Sequence, residues 1–235
     1  FFFDEYQIDI NVSLNQFGFP FYQPSQKNSP LIIDFDNDGE NEILYGDYNG
    51  YVHVINLDGS ELVNDIFPFN TGNQIWGSIA ASDMDNDGLL DIAIVSKSKY
   101  IYVLDKNGIK LEFNSNKYLL GTPAISNLDD DIDLEVVFSS YSVDNMVWAL
   151  NLDGTSVEGF PKYLGDKVKS GLALADYNNN NKDDIVLGTD DNNLYLIYDN
   201  GLIAANFPYK LLGKVRSAPS VLEYNDENII FVGDI

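Results

Sequence analysis

The sequence predicts an all-β fold built from one four-stranded unit that recurs about every 47 residues. Three observations support this: acidic nonapeptides recur in register, alternating apolar runs flank them, and Phe-Pro pairs mark the ends of units. The nonapeptides are DFDNDGENE at 34–42, DMDNDGLLD at 83–91, NLDDDIDLE at 127–135 and DYNNNNKDD at 176–184. Four short antiparallel strands repeated at about 40 to 50 residues are typical of a β-propeller.

Each unit contains four strand-like runs in a constant order, here termed A to D. Strand A (LIID, IAAS, AISN, LALA) precedes the acidic nonapeptide, and strand B (EILYG, DIAIV, EVVFS, DIVLG) follows it. Strand C (YVHVIN, YIYVLD, MVWALN, LYLIYD) ends in a turn with glycine at 59, 108, 154 or 201, which suits the positive φ of a tight hairpin. Because proline cannot donate to a ladder, the Phe-Pro pairs place strand D at the sheet edge.

The two ends of the chain are predicted to complete a single blade. A C-like run lies at 6–12 and a D-like run at 19–22, whereas A-like and B-like runs lie at 218–224 and 228–233. We therefore expect one domain over 1–235 that closes as five blades. Their approximate bounds are 23–72, 73–119, 120–165, 166–212, and 213–235 joined with 1–22. The alternative is a fragment of a larger propeller that starts and stops in complementary phase.

Composition excludes several classes of function. The chain has 235 residues, 13 Lys plus Arg, 37 Asp plus Glu, one His and no Cys, and its formal charge is −24. It would repel nucleic acid and anionic membranes, so neither is an expected partner. Without Cys and with one His, no thiol nucleophile or Ser-His-Asp triad can be proposed. No apolar run reaches the roughly 18 residues of a spanning helix, and the N-terminus is expected to be the start of a mature or excised segment.

The acidic nonapeptides have the residue types of a cation-binding loop. Asp or Asn stands at positions 1, 3 and 5, Gly at 6 in two of them, and a carboxylate at 9. Alternate side chains of a tightly curled loop point inward, and Ca²⁺ takes six to eight oxygen ligands. An EF-hand would need Glu at position 12, where this chain has Tyr45, Ile94, Phe138 or Leu187. Solvated Asp and Asn turns are the alternative for any single loop.

The units resemble the FG-GAP repeat, also called VCBS-type or integrin α-like, in which DxDxDGxxD between strands A and B binds Ca²⁺. Trp76-Gly77 is similar to the Phe-Gly element of that repeat. Gly121-Thr122-Pro123 and Ser217-Ala218-Pro219 are similar to its Gly-Ala-Pro element. The resemblance covers nearly the whole chain.

The resemblance implies five ligand positions in each loop, of which the seventh contributes a backbone carbonyl. In the first two loops, where we expect metal most, they are Asp34, Asp36, Asp38, Glu40 and Glu42, and Asp83, Asp85, Asp87, Leu89 and Asp91. In the third and fourth they are Asn127, Asp129, Asp131, Asp133 and Glu135, and Asp176, Asn178, Asn180, Lys182 and Asp184.

The third and fourth loops depart from the pattern. In the third, Ile132 replaces the glycine, and a β-branched residue resists positive φ. The fourth has Asn181 at that turn and only two carboxylates, so we expect it to be the weakest. The fifth equivalent, at 222–229, lacks the spacing, and no metal is expected there.

The resemblance also implies that ligands bind on the face formed by the D–A and B–C loops. Nine of the 13 cations lie in or next to those loops: Lys27, Lys97, Lys99, Lys117, Lys167, Lys169, Lys210, Lys214 and Arg216. Candidate ligand-binding residues are Trp76, Lys97, Lys99, Lys169 and Arg216. The alternatives are ordinary solubilising charge for the cations and loop anchoring for Trp76.

The expected function is a secreted or cell-surface, Ca²⁺-stabilised binding, adhesion or structural module without catalytic activity. Its partner would be a protein or a glycan, and the chain can be one piece of a larger multidomain protein. The alternative is a lectin-like propeller or a polysaccharide lyase that acts on acidic glycans.

Overall fold

The chain folds into five antiparallel β-sheets, which a computed structural model describes over residues 18–19, 24–225 and 227–235. These described residues contain no helix, and therefore none that is long and apolar enough to cross a membrane.

Four of the sheets have four strands each, ordered along the sheet as they are along the chain. The first sheet contains β1 (Leu31–Ile33), β2 (Glu42–Gly46), β3 (Tyr51–Asn56) and β4 (Phe69–Asn70). The second contains β5 (Ala80–Ser82), β6 (Asp91–Val95), β7 (Tyr100–Leu104) and β8 (Ile109–Asn114). The third contains β9 (Ala124–Ser126), β10 (Glu135–Ser139), β11 (Met146–Leu150) and β12 (Lys162–Tyr163). The fourth contains β13 (Ala173–Ala175), β14 (Asp184–Gly188), β15 (Asn193–Ile197) and β16 (Tyr209–Lys210). The predicted unit of strands A to D is confirmed.

The outer strands follow the distribution of proline. β4, β12 and β16 have two residues each, and each follows a Phe-Pro pair. β8 follows no such pair, has six residues and pairs with β7 along its length. The difference is expected because proline lacks the N–H that a ladder needs.

Successive sheets meet through their A strands. β5 contacts β9, β9 contacts β13, and β13 contacts β17 (Ser220–Tyr224) of the fifth sheet. Hydrogen bonds to hydroxyl groups also link the segments just before the A strands. Ser29 N–H donates to Ser78 Oγ (3.0 Å), and Ser78 N–H donates to Thr122 Oγ1 (3.0 Å). The A strands therefore surround the centre of the propeller.

The apolar core lies between neighbouring sheets. Phe35 and Phe67 meet edge to face at 5.4 Å in the cluster that joins the first two sheets. Phe138 stacks on Trp148 at 5.2 Å in the cluster that joins the second and third. Two further clusters join the third sheet to the fourth and the fourth to the fifth. Trp148 therefore packs between two blades.

The fifth sheet consists of β17 and β18 (Glu227–Phe231) in antiparallel pairing, as the A-like and B-like runs predicted. The C-like run at 6–12 and all of 19–22 except Phe19 lie outside the described residues. Gly18 lies against the turn at Asp58, where an added Cβ would be 2.0 Å from the Asp58 carbonyl oxygen. Gly159 lies in the same way against Asn200 of the next sheet (2.1 Å). Closure of the ring as five blades, and the blade bounds, stay predictions.

Candidate metal loops and ligand pocket

The four acidic nonapeptides join strands A and B of the four-stranded sheets. Their last residues begin β2, β6, β10 and β14 and are buried, with exposed fractions of 2% or less: Glu42, Asp91, Glu135 and Asp184. Each of these carboxylates accepts the backbone N–H of loop position 2, for example Phe35 N–H to Glu42 Oε2 at 2.8 Å. The strand pairing therefore holds one carboxylate of every loop at a set place beneath it.

The first aspartate of three loops organises the turn above it. Asp34 accepts N–H bonds from Asp38 (3.1 Å) and Gly39 (3.0 Å), and Asp83 and Asp176 accept the same pair of bonds in their loops. Positions 4 and 6 of these loops have positive φ: Asn37 and Gly39, Asn86 and Gly88, and Asn179 and Asn181. The turn predicted for position 6 is confirmed. The positive φ at position 4 was not predicted, although asparagine, which tolerates it, stands there in the same three loops.

The third loop has a different backbone, as the Ile132 substitution predicted. Neither Asp130 nor Ile132 has positive φ, and the Ile132 side chain is exposed. Asn127 stands in place of the first aspartate, and its Nδ2 lies 3.4 Å from the Asp131 carbonyl oxygen.

Three loops bring carboxylate oxygens to within 4.8 Å of one another. The groups are Asp34, Asp36 and Glu42; Asp83, Asp85 and Asp91; and Asp129, Asp131 and Glu135. These three groups can hold a metal ion. In the fourth loop the side chains of Asn178 and Asn180 replace two carboxylates.

The third loop contains two buried oxygens without a hydrogen-bond donor, Glu135 Oε1 and Asn127 Oδ1. Burial raises the pKa of Glu135, the Leu128 N–H bond lowers it, and the charges of Asp129, Asp131 and Asp133 raise it, so that it lies at about 7. A buried oxygen without a partner costs free energy. A bound cation would supply the missing partner, so the donor set of this loop fits a hard metal ion despite its altered turn.

The second loop already faces a cation of the chain itself. Lys110, on β8, places Nζ 3.0 Å from the carboxylates of Asp85, Asp87 and Asp91, and 3.9 Å from Asp105. Burial lowers the pKa of Lys110, but the hydrogen bonds to these aspartates outweigh it, and the pKa lies above its usual value. Sequence reasoning did not associate Lys110 with this loop.

The fourth loop uses its carboxylates for its own backbone. Asp184 accepts N–H bonds from Tyr177 (2.9 Å) and Asp199 (3.0 Å), and burial raises its pKa to about 6. Asn180 Nδ2 donates to Asp199 Oδ1 (3.2 Å), and Lys182 Nζ lies 2.7 Å from Asp130 of the third loop.

A pocket of about 520 Å³ lies among the D–A and B–C loops of the second, third and fourth sheets. It is lined by Asn73, Trp76, Lys97, Tyr118, Leu120, Tyr141 and Lys169. Three of the five predicted ligand residues line it, namely Trp76, Lys97 and Lys169.

Lysines lie over each of the aromatic rings of this pocket. Lys27 Nζ and Lys97 Nζ lie 3.7 and 5.0 Å from the centre of the Trp76 ring. Lys99 lies over Tyr118 at 5.7 Å, and Lys167 lies over Tyr141 at 5.5 Å.

Two of the predicted ligand residues lie elsewhere. Lys99 is not a lining residue, although it contacts Tyr118. Arg216 binds both carboxylate oxygens of Asp190 (3.0 and 2.9 Å), and this pairing lowers the pKa of Asp190.

Residues 34–94 match the family described as the FG-GAP-like repeat. No curated protein sequence matches the chain significantly.

Solved structures that resemble this one are β-propellers at low sequence identity, so the likeness concerns the fold. The structure of BBS1N in complex with ARL6DN is 13% identical with a TM-score of 0.61, and the match covers 88% of this chain and 60% of that one. The biofilm matrix protein Bap1 of V. cholerae is 21% identical with a TM-score of 0.63, and the match covers 88% of this chain and 35% of that one. The WD40 β-propeller domain of Doa1 is 15% identical with a TM-score of 0.56, with coverages of 82% and 57%. The chain therefore spans about a third to three fifths of these relatives.

Proposed function

For a chain that carries FG-GAP-like repeats on a β-propeller fold, we propose a non-catalytic binding or adhesion module that acts outside the cell or at its surface and is stabilised by Ca²⁺. The observation that carries the binding role is the lysine- and aromatic-lined pocket on the D–A and B–C loop face. Among the structures of similar fold, Bap1 is a biofilm matrix protein and BBS1N is in complex with ARL6DN. A place in a biofilm matrix and a complex with a partner protein would both suit a propeller that serves as a binding platform.

The lining of the pocket favours an anionic ligand with an apolar face, and an acidic glycan has both features. Trp76 and Tyr118 supply aromatic rings, on which a sugar could stack in place of the lysines that lie over them, and Lys97 and Lys169 offer ammonium groups for carboxylate or sulfate. A chain with a formal charge of −24 repels anions in general. A lysine-lined cavity on such a chain therefore admits an anion at one place.

Calcium is proposed for the first and third loops. Asp34, Asp36 and Glu42 supply a compact group of carboxylates, and Glu135 supplies a buried oxygen without a partner. Hard oxygen donors are those that Ca²⁺ prefers, and extracellular modules typically bind it at about 0.1 to 1 mM. Calcium bound there would neutralise carboxylates that repel one another, and the loops would then brace a fold that has no disulfides.

The ligand class is tested on an array of uronate-containing, sulfated and neutral oligosaccharides. The wild-type protein is expected to bind acidic members and not neutral ones, because the lysines of the pocket supply the attraction. Trp76→Ala and Lys169→Ala are expected to weaken binding by about tenfold or more each, which corresponds to about 1.4 kcal/mol. Raising the salt concentration should weaken it further.

Matched controls are Tyr209→Ala and Lys162→Ala, which remove an exposed aromatic ring and a lysine outside the pocket. Both should bind acidic oligosaccharides as the wild type does. If no acidic oligosaccharide binds, or if the pocket variants bind unchanged, the proposed ligand class is wrong.

A polysaccharide lyase is the second candidate, because Tyr118, Tyr141 and Lys169 line one pocket and some lyases use such groups near an acidic sugar. Release of unsaturated uronate by the wild type, abolished by Tyr118→Phe or Tyr141→Phe, would establish the lyase in place of the non-catalytic module.

A further inference from the structure

The second acidic loop differs from the others in what faces its carboxylates. Four oxygens of three aspartates, both of Asp85 and one each of Asp87 and Asp91, lie 3.0 Å from Lys110 Nζ. An ammonium has three N–H donors, and Asp85 and Asp87 accept hydrogen bonds from it at a normal donor–acceptor distance. The buried Asp91 Oδ1 lies at the same distance as an ion pair, without the geometry of a hydrogen bond. The Lys110 side chain is 17% exposed, which leaves little water around the group.

The position of Lys110 follows from the long outer strand of this blade. It lies two residues after the turn glycine Gly108, where the other four-stranded sheets have Glu61, Ser156 and Ile203. Those three residues form isolated bridges to strand C, whereas β8 pairs with β7 up to Asn114. The second blade alone among the four therefore combines a full-length strand D with a lysine at the position that faces the loop.

Other lysines near acidic loops make different contacts. Lys106 Nζ donates to the backbone carbonyl of Asp36 in the first loop, and Lys182 pairs with Asp130, which is not a predicted ligand of the third loop. Among the described residues, no lysine or arginine forms an ion pair with Asp34, Asp36, Asp38 or Glu42, nor with Asp129, Asp131 or Glu135.

We propose that Lys110 is the resident cation of the second loop and that this loop is held closed without metal. A divalent ion could enter only if the ammonium left three carboxylates, one of which, Asp91, is fully buried. The wild-type protein would then bind one metal ion fewer than its DxDxDG loops suggest. This inference rests on the proposed calcium binding by the first and third loops in one respect only, which is the total number of ions that the wild type binds.

The test is equilibrium dialysis with Ca²⁺ for the wild type, Lys110→Met and the control Lys162→Met, which changes a lysine on strand D of the third blade. Lys110→Met is expected to bind one more Ca²⁺ per molecule than the wild type, and Lys162→Met the same number. Adding Asp83→Asn to Lys110→Met should remove the extra ion, whereas Asp83→Asn alone should leave the wild-type count unchanged. An unchanged count in Lys110→Met, or an ion lost on Asp83→Asn alone, would overturn the proposal.

A second measurement uses the wild-type protein and does not depend on the folding of a variant. Lys110 should resist acylation by an N-hydroxysuccinimide ester, read by mass spectrometry, equally with Ca²⁺ and with chelator. Acylation of Lys110 that rises on adding Ca²⁺ would mean that metal displaces it and would refute the inference. If the wild type binds no Ca²⁺ at all, the proposed calcium role fails, while continued protection of Lys110 and a gained site in Lys110→Met would still support this inference.

Discussion

Chelation of Ca²⁺ is expected to lower the free energy of unfolding by about 2.7 kcal/mol for each occupied loop, if the Ca²⁺ concentration beforehand was 100 times Kd. For a chain of this length such a change corresponds to roughly 5 to 10 °C in Tm for each loop. The reason is that Asp34, Asp36 and Glu42, and likewise the carboxylates around Glu135, repel one another when no cation lies between them. Thermal unfolding in 10 mM Ca²⁺ and in chelator, with bound metal measured by elemental analysis, checks this expectation.

The variant Glu135→Gln makes the calcium prediction specific to one loop. It removes a buried charge whose Oε1 has no donor, so the chelated protein should be as stable as the wild type or more stable. The increase in unfolding free energy caused by Ca²⁺ should be smaller than in the wild type by the contribution of the third loop. Glu158→Gln, which changes an exposed glutamate outside the loops, should leave both quantities unchanged. Equal Tm values in Ca²⁺ and chelator for the wild type, with no bound metal, would contradict the calcium role.

Gly121→Ala is expected to destabilise the propeller by about 1 to 3 kcal/mol or more, as overpacking of a close contact does. A Cβ at Gly121 would lie 2.3 Å from the carbonyl oxygen of Ser170 in the next blade, and backbone atoms on both sides would have to move. Gly77 makes the equivalent approach one blade earlier, with 2.2 Å to the Gly121 carbonyl oxygen, so Gly77→Ala should act similarly. Urea unfolding measures both effects.

Gly171→Ala is the matched control for the glycine variants. Its nearest neighbour would be the Thr122 Cβ at 3.3 Å, a side-chain atom that can shift by a few tenths of an ångström. We expect a change in unfolding free energy of under about 1 kcal/mol, close to that of a surface substitution. If Gly121→Ala and Gly171→Ala are equally stable, the close approach of the D–A loops at Gly121 and Ser170 is not what limits the residue at position 121.

Much of the fold could be predicted because its signals are local. Strands β2, β6, β10 and β14 have apolar runs bounded by acidic turns, and a two-residue period fixes which side chains share a face. Repetition in register then predicts the blade, since a unit that cannot bury its own faces must stack on its neighbours. Proline predicted that strand D lies at the sheet edge, but not that β4, β12 and β16 have only two residues each. The sequence has Asn114 in place of proline after Phe113, but the six-residue length of β8 was not predicted from this difference.

The candidate site was predicted in its residue types more than in its contacts. The loop offsets predicted which carboxylates would converge, and three groups do lie within 4.8 Å. They did not predict that Lys110 faces Asp91, because that contact depends on the pairing of β8 with β7 and of β6 with β7. Nor did they predict that Glu135 Oε1 has no donor in the third loop, which depends on the packing around β10.

The sequence by itself determined the repeat, the strand order within a blade and the acidic loops, because each of these is written within about ten neighbouring residues. Only the tertiary structure decided that an ammonium faces the second loop and that the third loop has buried oxygens without a hydrogen-bond partner. It also decided that Trp76, Tyr141 and Lys169, from three different loops, line one pocket. The physical reason is that a side chain's partners across strands and blades are set by register and packing, and residues far apart in the chain establish both together.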